Sequence, residues 1–305
     1  MRSKVNPLHS YVVKLLNQEK YAWFATIPLA CFDFTAWLSL TLLMLMILRK
    51  GIKPVWNLMC ANFMVHGLSL YWFNPNFGSW VNAFLDFWPG YLAAATLLYT
   101  RSWSIVAWSM VAMSLICALG INLQFPDYAI SELNHMLMSA KSLNLPLPIH
   151  VLAQMIKKHQ DLSLHLMLGL QMMSTALNVI ISLTMARSIQ SQIFNPMGFL
   201  QEMLNLRGNR GLFLSLLGAI LSILVFKGFL ALYMIPTLLL YFFLVGMSIG
   251  VSVLAKNRIQ MVLIVLSIAA MVLPYVFIPA LVMIGALDSF VNFRALLAKR
   301  LEPTT

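Results

Sequence analysis

The sequence has few acidic residues and few charges of either sign. Its 305 residues include 9 aspartate and glutamate residues against 20 lysine and arginine residues, and charged residues make up only 10% of the chain. A soluble domain carries roughly 25% charged residues, so this composition excludes an ordinary water-soluble globular class. The basic residues stand singly or in twos and threes between apolar stretches, which argues against a groove that follows nucleic-acid phosphates. We therefore expect no nucleic-acid partner.

Cysteine and catalytic sequence motifs are equally sparse. The three cysteines, Cys31, Cys60 and Cys117, lie within apolar segments, and we expect free, buried thiols. The sequence contains no HExxH zinc motif and no Walker phosphate-binding loop. It therefore predicts neither an enzyme nor a bound cofactor. Any transport would draw its energy from an ion gradient or from a partner ATPase.

Apolar residues dominate the chain. They make up 61% of the sequence, and the mean hydropathy is +0.84. A helix that crosses a bilayer needs about 20 mostly apolar residues, because every backbone polar group must be satisfied inside the segment. The fold class predicted is all-α: a polytopic transmembrane helix bundle of about 8 to 10 crossing or half-crossing helices, with amphipathic surface helices. The lipid bilayer is then the main partner.

The distribution of basic residues predicts which segments face the cytoplasm. The expected organisation, in chain order, is a cytoplasmic interfacial helix at 1–20, an N-terminal transmembrane bundle at 21–122, a periplasmic amphipathic segment at 123–161, a C-terminal transmembrane bundle at 162–293, and a basic cytoplasmic tail at 294–305. Within the second bundle, residues 187–210 form a cytoplasmic loop. That loop should contain a short amphipathic helix with Phe199, Met203 and Leu206 on one face, ended by Gly208.

Two apolar blocks are too long for one straight crossing. Residues 21–48 would span about 42 Å as one helix, against a hydrocarbon core of ~30 Å, and the block 259–293 is longer still. Pro28 and Asp33 interrupt the first block, and Pro274 and Pro279 lie near the middle of the second. A hairpin in each block would return both basic ends to the cytoplasm, while a single long tilted helix is the alternative.

Three ionisable residues inside apolar spans are the leading functional candidates. Asp33, His66 and Asp86 each place a charge or a strong dipole where insertion costs roughly 2.5 to 3.5 kcal/mol. If they converge, they line a polar cavity or a proton path, to which Asn82 could contribute. The alternative assigns a separate structural role to each: Asp33 caps a helix at a break, His66 hydrogen-bonds a neighbouring helix, and Asp86 lies near a membrane interface.

The remaining histidines do not predict a metal site. His135, His150, His159 and His165, with Asp161, lie in or beside the periplasmic segment, but their spacing does not match a compact zinc motif.

Three stretches resemble a known family. WLSLTLLMLMILRKG at 37–51, SLTMARSIQSQIFNPMGFLQEMLNLRGNRGLFL at 182–214 and GALDSFVNFRALLAKRLE at 285–302 are similar, in order and position, to the YybS-like family of uncharacterised bacterial polytopic membrane proteins. The resemblance implies a location in the bacterial inner membrane and a fold related to the S components of energy-coupling-factor vitamin transporters. It implies no established activity. The motif positions retained here are Asn195, Pro196, Gly198, Phe199, Glu202, Leu206, Arg207, Asp288 and Arg294.

The charged motif residues suggest a connection between the central loop and the C-terminal block. Glu202 and Arg207 are five residues apart, which is too far for the favourable i,i+4 pair on one helix face, so their partners should lie elsewhere. Asp288 or Glu202 could pair with an arginine of the other segment at the cytoplasmic rim. In the alternative, both are solvated interfacial charges worth ~0 to 1 kcal/mol.

Two functions of different class follow from these patterns. The first is a transport or small-molecule-binding subunit of S-component type, which predicts a closed cavity lined by some of Asp33, His66, Asn82 and Asp86. The second is a non-transporting membrane scaffold that presents the 187–210 loop and the basic tail to a cytoplasmic or membrane protein partner. It predicts a filled bundle core and an exposed Phe199, Met203 and Leu206 face.

Overall fold

The computed structural model describes residues 18–126, 128–131, 134, 138, 160–194, 198–226, 228–254 and 259–291. Regular structure in these ranges is helical, which confirms the all-α prediction. The N-terminal helices are α1 (Glu19–Ala30), α2 (Asp33–Lys50), a short 3-10 turn (Lys53–Val55), α3 (Trp56–Phe73), α4 (Gly78–Thr100) and α5 (Trp103–Gln124). The later helices are α6 (Gln160–Phe194), α7 (Gly198–Leu204), α8 (Arg210–Phe226), α9 (Ala231–Leu254), α10 (Ile259–Val272) and α11 (Pro274–Leu287). Most of the predicted interfacial helix at 1–20, most of the predicted periplasmic segment at 123–161 and all of the predicted tail at 294–305 lie outside the described residues.

Three of the described helices are long and apolar enough to cross a bilayer, at Trp103–Gln124, Leu162–Ile193 and Ala231–Val253. They indicate a membrane protein. Helices α1, α10 and α11 contain 12, 14 and 14 residues. At 1.5 Å per residue they are about 18 to 21 Å long, which is too short to cross a ~30 Å core alone.

Both long apolar blocks are divided into two helices, as the hairpin interpretation requires. The first block breaks at Cys31 and Phe32, and α1 packs against α2. The second breaks at Leu273, and α10 packs against α11. Leu273 has φ −125° and ψ 56° because the ring of Pro274 excludes the helical conformation from the preceding residue. Pro28, in contrast, lies inside α1, close to its end.

One compact unit comprises residues 1–109 and 175–202. Within it, α2 and α4 pack closely, α3 packs on α4, and α1 packs on both α2 and α3. Its core is made of side chains with less than 2% exposure, among them Leu43, Met44, Met59 and Phe87. Helices α1 to α4 therefore surround the positions of the predicted polar residues.

The second compact unit comprises residues 110–174 and 203–305. Here α9 packs extensively on α11 and also contacts α8 and α10. Two glycines face each other across α9 and α11: a Cβ atom on Gly246 would meet the backbone of Leu281, and one on Gly285 would meet the backbone of Phe242. This is the close backbone approach that small residues permit between membrane helices.

These units differ from the N-terminal and C-terminal bundles expected from the sequence. Helix α6 has 35 residues, about 52 Å of helix, and its C-terminal part groups with α1 to α4. The helix also continues past Arg187 to Phe194, so the first part of the predicted cytoplasmic loop is helical. The short helix predicted after it is present, but it ends at Leu204. The prediction that Gly208 ends it is wrong, because Gly208 lies in the coil before α8.

Candidate functional site

The break between α1 and α2 exposes three successive backbone carbonyl groups, and a side chain satisfies each of them. The acceptor and donor pairs are Leu29 O with Thr35 Oγ1 at 2.7 Å, Ala30 O with His66 Nδ1 at 2.9 Å, and Cys31 O with Ser69 Oγ. A carbonyl left unpaired at membrane depth costs several kcal/mol, so irregular backbone there needs such partners. The break is therefore held by α3 as well as by α2.

His66 connects this break to two carboxylates. Its side chain is completely buried, and its Nε2 lies 3.1 Å from Oδ2 of Asp86. One ligand-type atom from each of Asp33, His66 and Asp86 lies within 4.8 Å of the others. We call these three residues the polar centre. They come from α2, α3 and α4, so the packing of three helices produces the convergence considered from the sequence.

The geometry fixes which nitrogen of His66 carries a proton. A backbone carbonyl only accepts hydrogen bonds, so Nδ1 must donate to Ala30. In the neutral imidazole, Nε2 is then an acceptor, and it faces a carboxylate that is also an acceptor when ionised. The contact between Nε2 and Asp86 is favourable only if a proton or another cation lies between the two groups.

The polar centre is closed on one side and open on another. The ring of Phe87, itself fully buried, meets the imidazole edge-on at a centroid distance of 5.5 Å. Asp33 is exposed in the first turn of α2, where the helix dipole favours a negative charge, and Asp86 is half-buried. Asn82 lies one helical turn before Asp86, on the same face of α4.

A second polar layer lies one turn below His66. The amide of Asn62 is completely buried and donates to Thr26 Oγ1 at 3.1 Å and to the carbonyl of Leu58 at 2.7 Å. Its carbonyl oxygen accepts a bond from the hydroxyl of Ser39 at 3.0 Å. Asn62 thus joins α1, α2 and α3 by the kind of hydrogen bond that polar side chains make between membrane helices.

Asn62→Leu should destabilise the protein. The substitution leaves the buried Thr26 and Ser39 hydroxyls without this partner, and each buried polar group that loses its bond costs about 1 to 3 kcal/mol. We expect a clear drop in the thermal unfolding temperature of the detergent-solubilised protein. Ser39→Ala is the matched control and should cost less, because it removes one bond and leaves the rest of the layer intact. Equal stability of Asn62→Leu and wild type would show that the layer contributes little.

Glu202 of the retained motif has a partner that the sequence did not predict. Its carboxylate receives two bonds from the Arg187 guanidinium, at 3.1 Å and 2.5 Å, and a longer one of 3.4 Å from the Trp103 indole. Arg187 also donates to Gln190, whose amide donates to the carbonyl of Leu48. Burial by itself would raise the pKa of Glu202, but the bonds from Arg187 and Trp103 hold that pKa below its ordinary value.

The Arg187–Glu202 pair predicts a loss of stability in acid. Because the pKa of Glu202 is lower in the folded protein than its ordinary value of 4.5, the pair stabilises the fold fully above that value. The contribution disappears as the pH falls through the lower, folded-state pKa. Glu202→Gln should therefore unfold at a lower temperature than wild type at pH 7, and the difference should vanish as the pH falls through the lowered pKa of the folded state.

The exposed Glu19 supplies the control for this pH series. Glu19→Gln should unfold at the same temperature as wild type at pH 7, because Glu19 is exposed. A Glu202→Gln difference that stays constant from neutral to acidic pH would contradict a stabilising charge at Glu202.

The central loop and the C-terminal block do meet, but through backbone groups. The carboxylate of Asp288 is 2% exposed and accepts a bond from the Gly208 N–H at 3.3 Å, while Arg210 Nε donates to the carbonyl of Ser289 at 3.3 Å. A Cβ atom at position 208 would lie 2.7 Å from the backbone nitrogen of Ser289. Gly208 is thus required for close approach and does not end a helix.

The loop is further held by α9. Tyr241 donates to the carbonyl of Arg207 at 2.8 Å, and Ser248, two turns later on the same face, donates to the carbonyl of Met203 at 2.6 Å. Phe199 is half-buried, and its N–H donates to Ser191. Met203 and Leu206 are also half-buried rather than exposed. Gly198 begins α7, whereas Asn195, Pro196 and Arg294 lie outside the described residues.

Of the other histidine and aspartate candidates, only the side chain of His165 falls in the part of the chain that the structure describes. His165 stacks on Tyr233 at a centroid distance of 5.4 Å with an interplanar angle of 11°, and it belongs to the second unit. His135, His150 and His159 and the side chain of Asp161 lie outside the described residues. The three cysteines are free thiols, but only Cys117 is fully buried.

Sequence reasoning missed the groups that support the polar centre, namely Ser69 and the backbone carbonyl of Ala30. Asn62, His66 and Ser69 follow the i, i+4, i+7 spacing of one helix face, and this signal could have identified the seam on α3. The carbonyl of Ala30 carries no sequence signal at all. Arg187 could have been paired with Glu202 only if the arrangement of α6 and α7 relative to each other were known.

Searches against protein-family models, curated proteins and solved structures found no match to this chain.

Proposed function

We propose that this chain is a multi-pass protein of the bacterial inner membrane that binds or transports a small polar solute or ion at the polar centre. One observation carries the proposal: three ionisable side chains from three different helices converge within 4.8 Å beside a helix break. Discontinuous helices with backbone carbonyls at the break are a common way to build binding sites near the middle of a membrane protein. Ionisable groups at such a position usually serve a ligand or ion path.

The surface supports a lipid environment for the helices. Large apolar side chains are exposed on both helices of the last hairpin, such as Met271 at 82% and Tyr275 at 93%. Contiguous apolar surface of this kind is covered by lipid or by another protein.

Helix α1 is 12 residues long, and His66 lies in the middle of α3, so the polar centre is about 15 to 18 Å along both helices. If both helices begin at a membrane surface, this length would reach the middle of a ~30 Å hydrocarbon core.

The resemblance to the YybS-like family supports a binding or transport subunit of S-component type, with eight to ten crossing or half-crossing helices. The three helices long enough to cross alone supply part of this number. The short helices α1, α10 and α11 pack in hairpins and would account for the half-crossings. No Walker loop is present in the sequence, so the energy for transport would come from an ion gradient or from a partner ATPase.

Mass spectrometry of small molecules that co-purify with the solubilised protein tests the proposal. We expect wild type to retain a bound species that His66→Gln loses, and addition of that species should raise the unfolding temperature of wild type alone. His165→Gln is the matched control, because it replaces a histidine of the other unit. A wild-type protein and a His66→Gln variant with identical bound species would contradict a ligand site at the polar centre.

The scaffold hypothesis has less structural support. It requires an exposed face on the central loop, but Phe199, Met203 and Leu206 are half-buried. Two backbone carbonyls of the loop also accept bonds from α9.

A further inference from the structure

We propose that the polar centre binds a divalent first-row transition-metal ion, with His66 Nε2 and one oxygen each of Asp33 and Asp86 as ligands. The inference rests on the proposed function, since it names the class of ligand for the same site. It goes beyond that function because it assigns an ion and the atoms that hold it.

The tautomer of His66 is the first support. Nδ1 donates to the carbonyl of Ala30, so the lone pair of Nε2 points toward the carboxylate of Asp86. Metal-binding histidines commonly donate their second ring nitrogen to a backbone carbonyl, which orients the ring and sets the tautomer. The bond from His66 to Ala30 has this arrangement, and the ring nitrogen left over is the one that faces both carboxylates.

The spacing of the ligand atoms is the second support. Metal–nitrogen and metal–oxygen bonds of about 2.0 to 2.2 Å place neighbouring ligand atoms roughly 2.9 to 3.5 Å apart. The observed separation of 3.1 Å between His66 Nε2 and Asp86 Oδ2 falls in that range. The largest separation within the polar centre is at most 4.8 Å, and rotation of the exposed Asp33 side chain can shorten it.

Charge favours a divalent ion over a single proton. Two ionised carboxylates and a neutral imidazole carry a net charge of −2. One bound proton would reduce this net charge only to −1, whereas a divalent cation would neutralise it. Among the described residues, no lysine or arginine forms an ion pair with Asp33 or Asp86. One imidazole with two carboxylates suits zinc, manganese or iron(II), whereas copper(I) prefers sulfur ligands. Water could fill the remaining positions from the open side of Asp33.

The test uses the full chain in detergent after treatment with a chelator and dialysis. Zn²⁺ and Mn²⁺ are then titrated separately by isothermal calorimetry, and bound metal is counted by elemental mass spectrometry. We expect one ion per chain for wild type. His66→Gln and Asp86→Asn should each weaken binding by at least about tenfold, because each removes a ligand. His165→Gln should bind as wild type does.

Several outcomes would overturn the inference. These are no metal binding by wild type, binding that His66→Gln leaves unchanged, and loss of binding in His165→Gln as well. The proposed function can fail separately. To test transport, wild type is reconstituted in liposomes that contain a metal-sensitive dye. Stoichiometric metal binding without uptake of the metal into the liposomes would support the metal site and contradict transport of that ion. A co-purifying organic molecule that depends on His66, together with no metal binding, would support a ligand site and overturn the metal assignment.

Discussion

Gly285→Ala should destabilise the protein by about 1 to 3 kcal/mol, although alanine normally stabilises a helix relative to glycine by ~0.5 to 1 kcal/mol. The reason is the contact between α9 and α11. A Cβ atom at position 285 would overlap the carbonyl oxygen of Phe242 and lie 2.8 Å from the backbone nitrogen of Gly246. Backbone atoms cannot rotate away as a side chain can, so the two helices would have to separate. Thermal unfolding in detergent would measure the loss.

Gly218→Ala is the matched control for this prediction. Gly218 also lies inside a helix, α8, but nothing is within 4 Å of a Cβ atom added there. We expect Gly218→Ala to be neutral or stabilising, so the two substitutions should have opposite signs. If Gly285→Ala also proved neutral, α9 and α11 would not be in backbone contact.

His66→Leu should be the most damaging change in the first unit, with a loss of about 2 to 4 kcal/mol. The substitution keeps the size of the side chain similar but makes it apolar, and it removes both hydrogen bonds of the imidazole. The carbonyl of Ala30 then has no donor at the break, and the half-buried carboxylate of Asp86 loses its partner. Unfolding by heat or by denaturing detergent would show the change.

A second substitution separates these two costs. In the double variant His66→Leu/Asp86→Leu the unpaired carboxylate is gone, so part of the stability should return, because removing both members of a buried pair is often close to neutral. The remaining deficit would measure the loss at Ala30. If the double variant were less stable than His66→Leu, Asp86 would have another stabilising role.

The sequence predicted the helical class, both helix breaks and the set of ionisable residues that converge. These features were accessible because each violates a local rule: a proline within an apolar block, or a charge where charge is costly. Asp33, His66 and Asp86 stand out in three separate spans for that reason. The sequence could not choose between convergence and three isolated roles, because that depends on how the helices are rotated against one another.

Other features depended on contacts that leave no local mark. The partner of Glu202, which is on α7, is Arg187 on α6. Asp288 is bound by the N–H of Gly208, a group that every residue except proline has. The glycines of α9 and α11 are no different in sequence from Gly120 and Gly218, which face open space. Only the crossing point of two helices decides which glycine is essential.

The contact at Gly246 and Gly285 restricts how the second unit can move. Sliding α11 along α9 by one helical turn, about 5.4 Å, would carry Gly285 away from the main chain of Phe242 and bring Leu281 or Ser289 into its place. Helices α9 and α11 should therefore move together as one rigid body. Any conformational change that accompanies ligand exchange must therefore occur at the contacts between this helix pair and its neighbours, and not between α9 and α11.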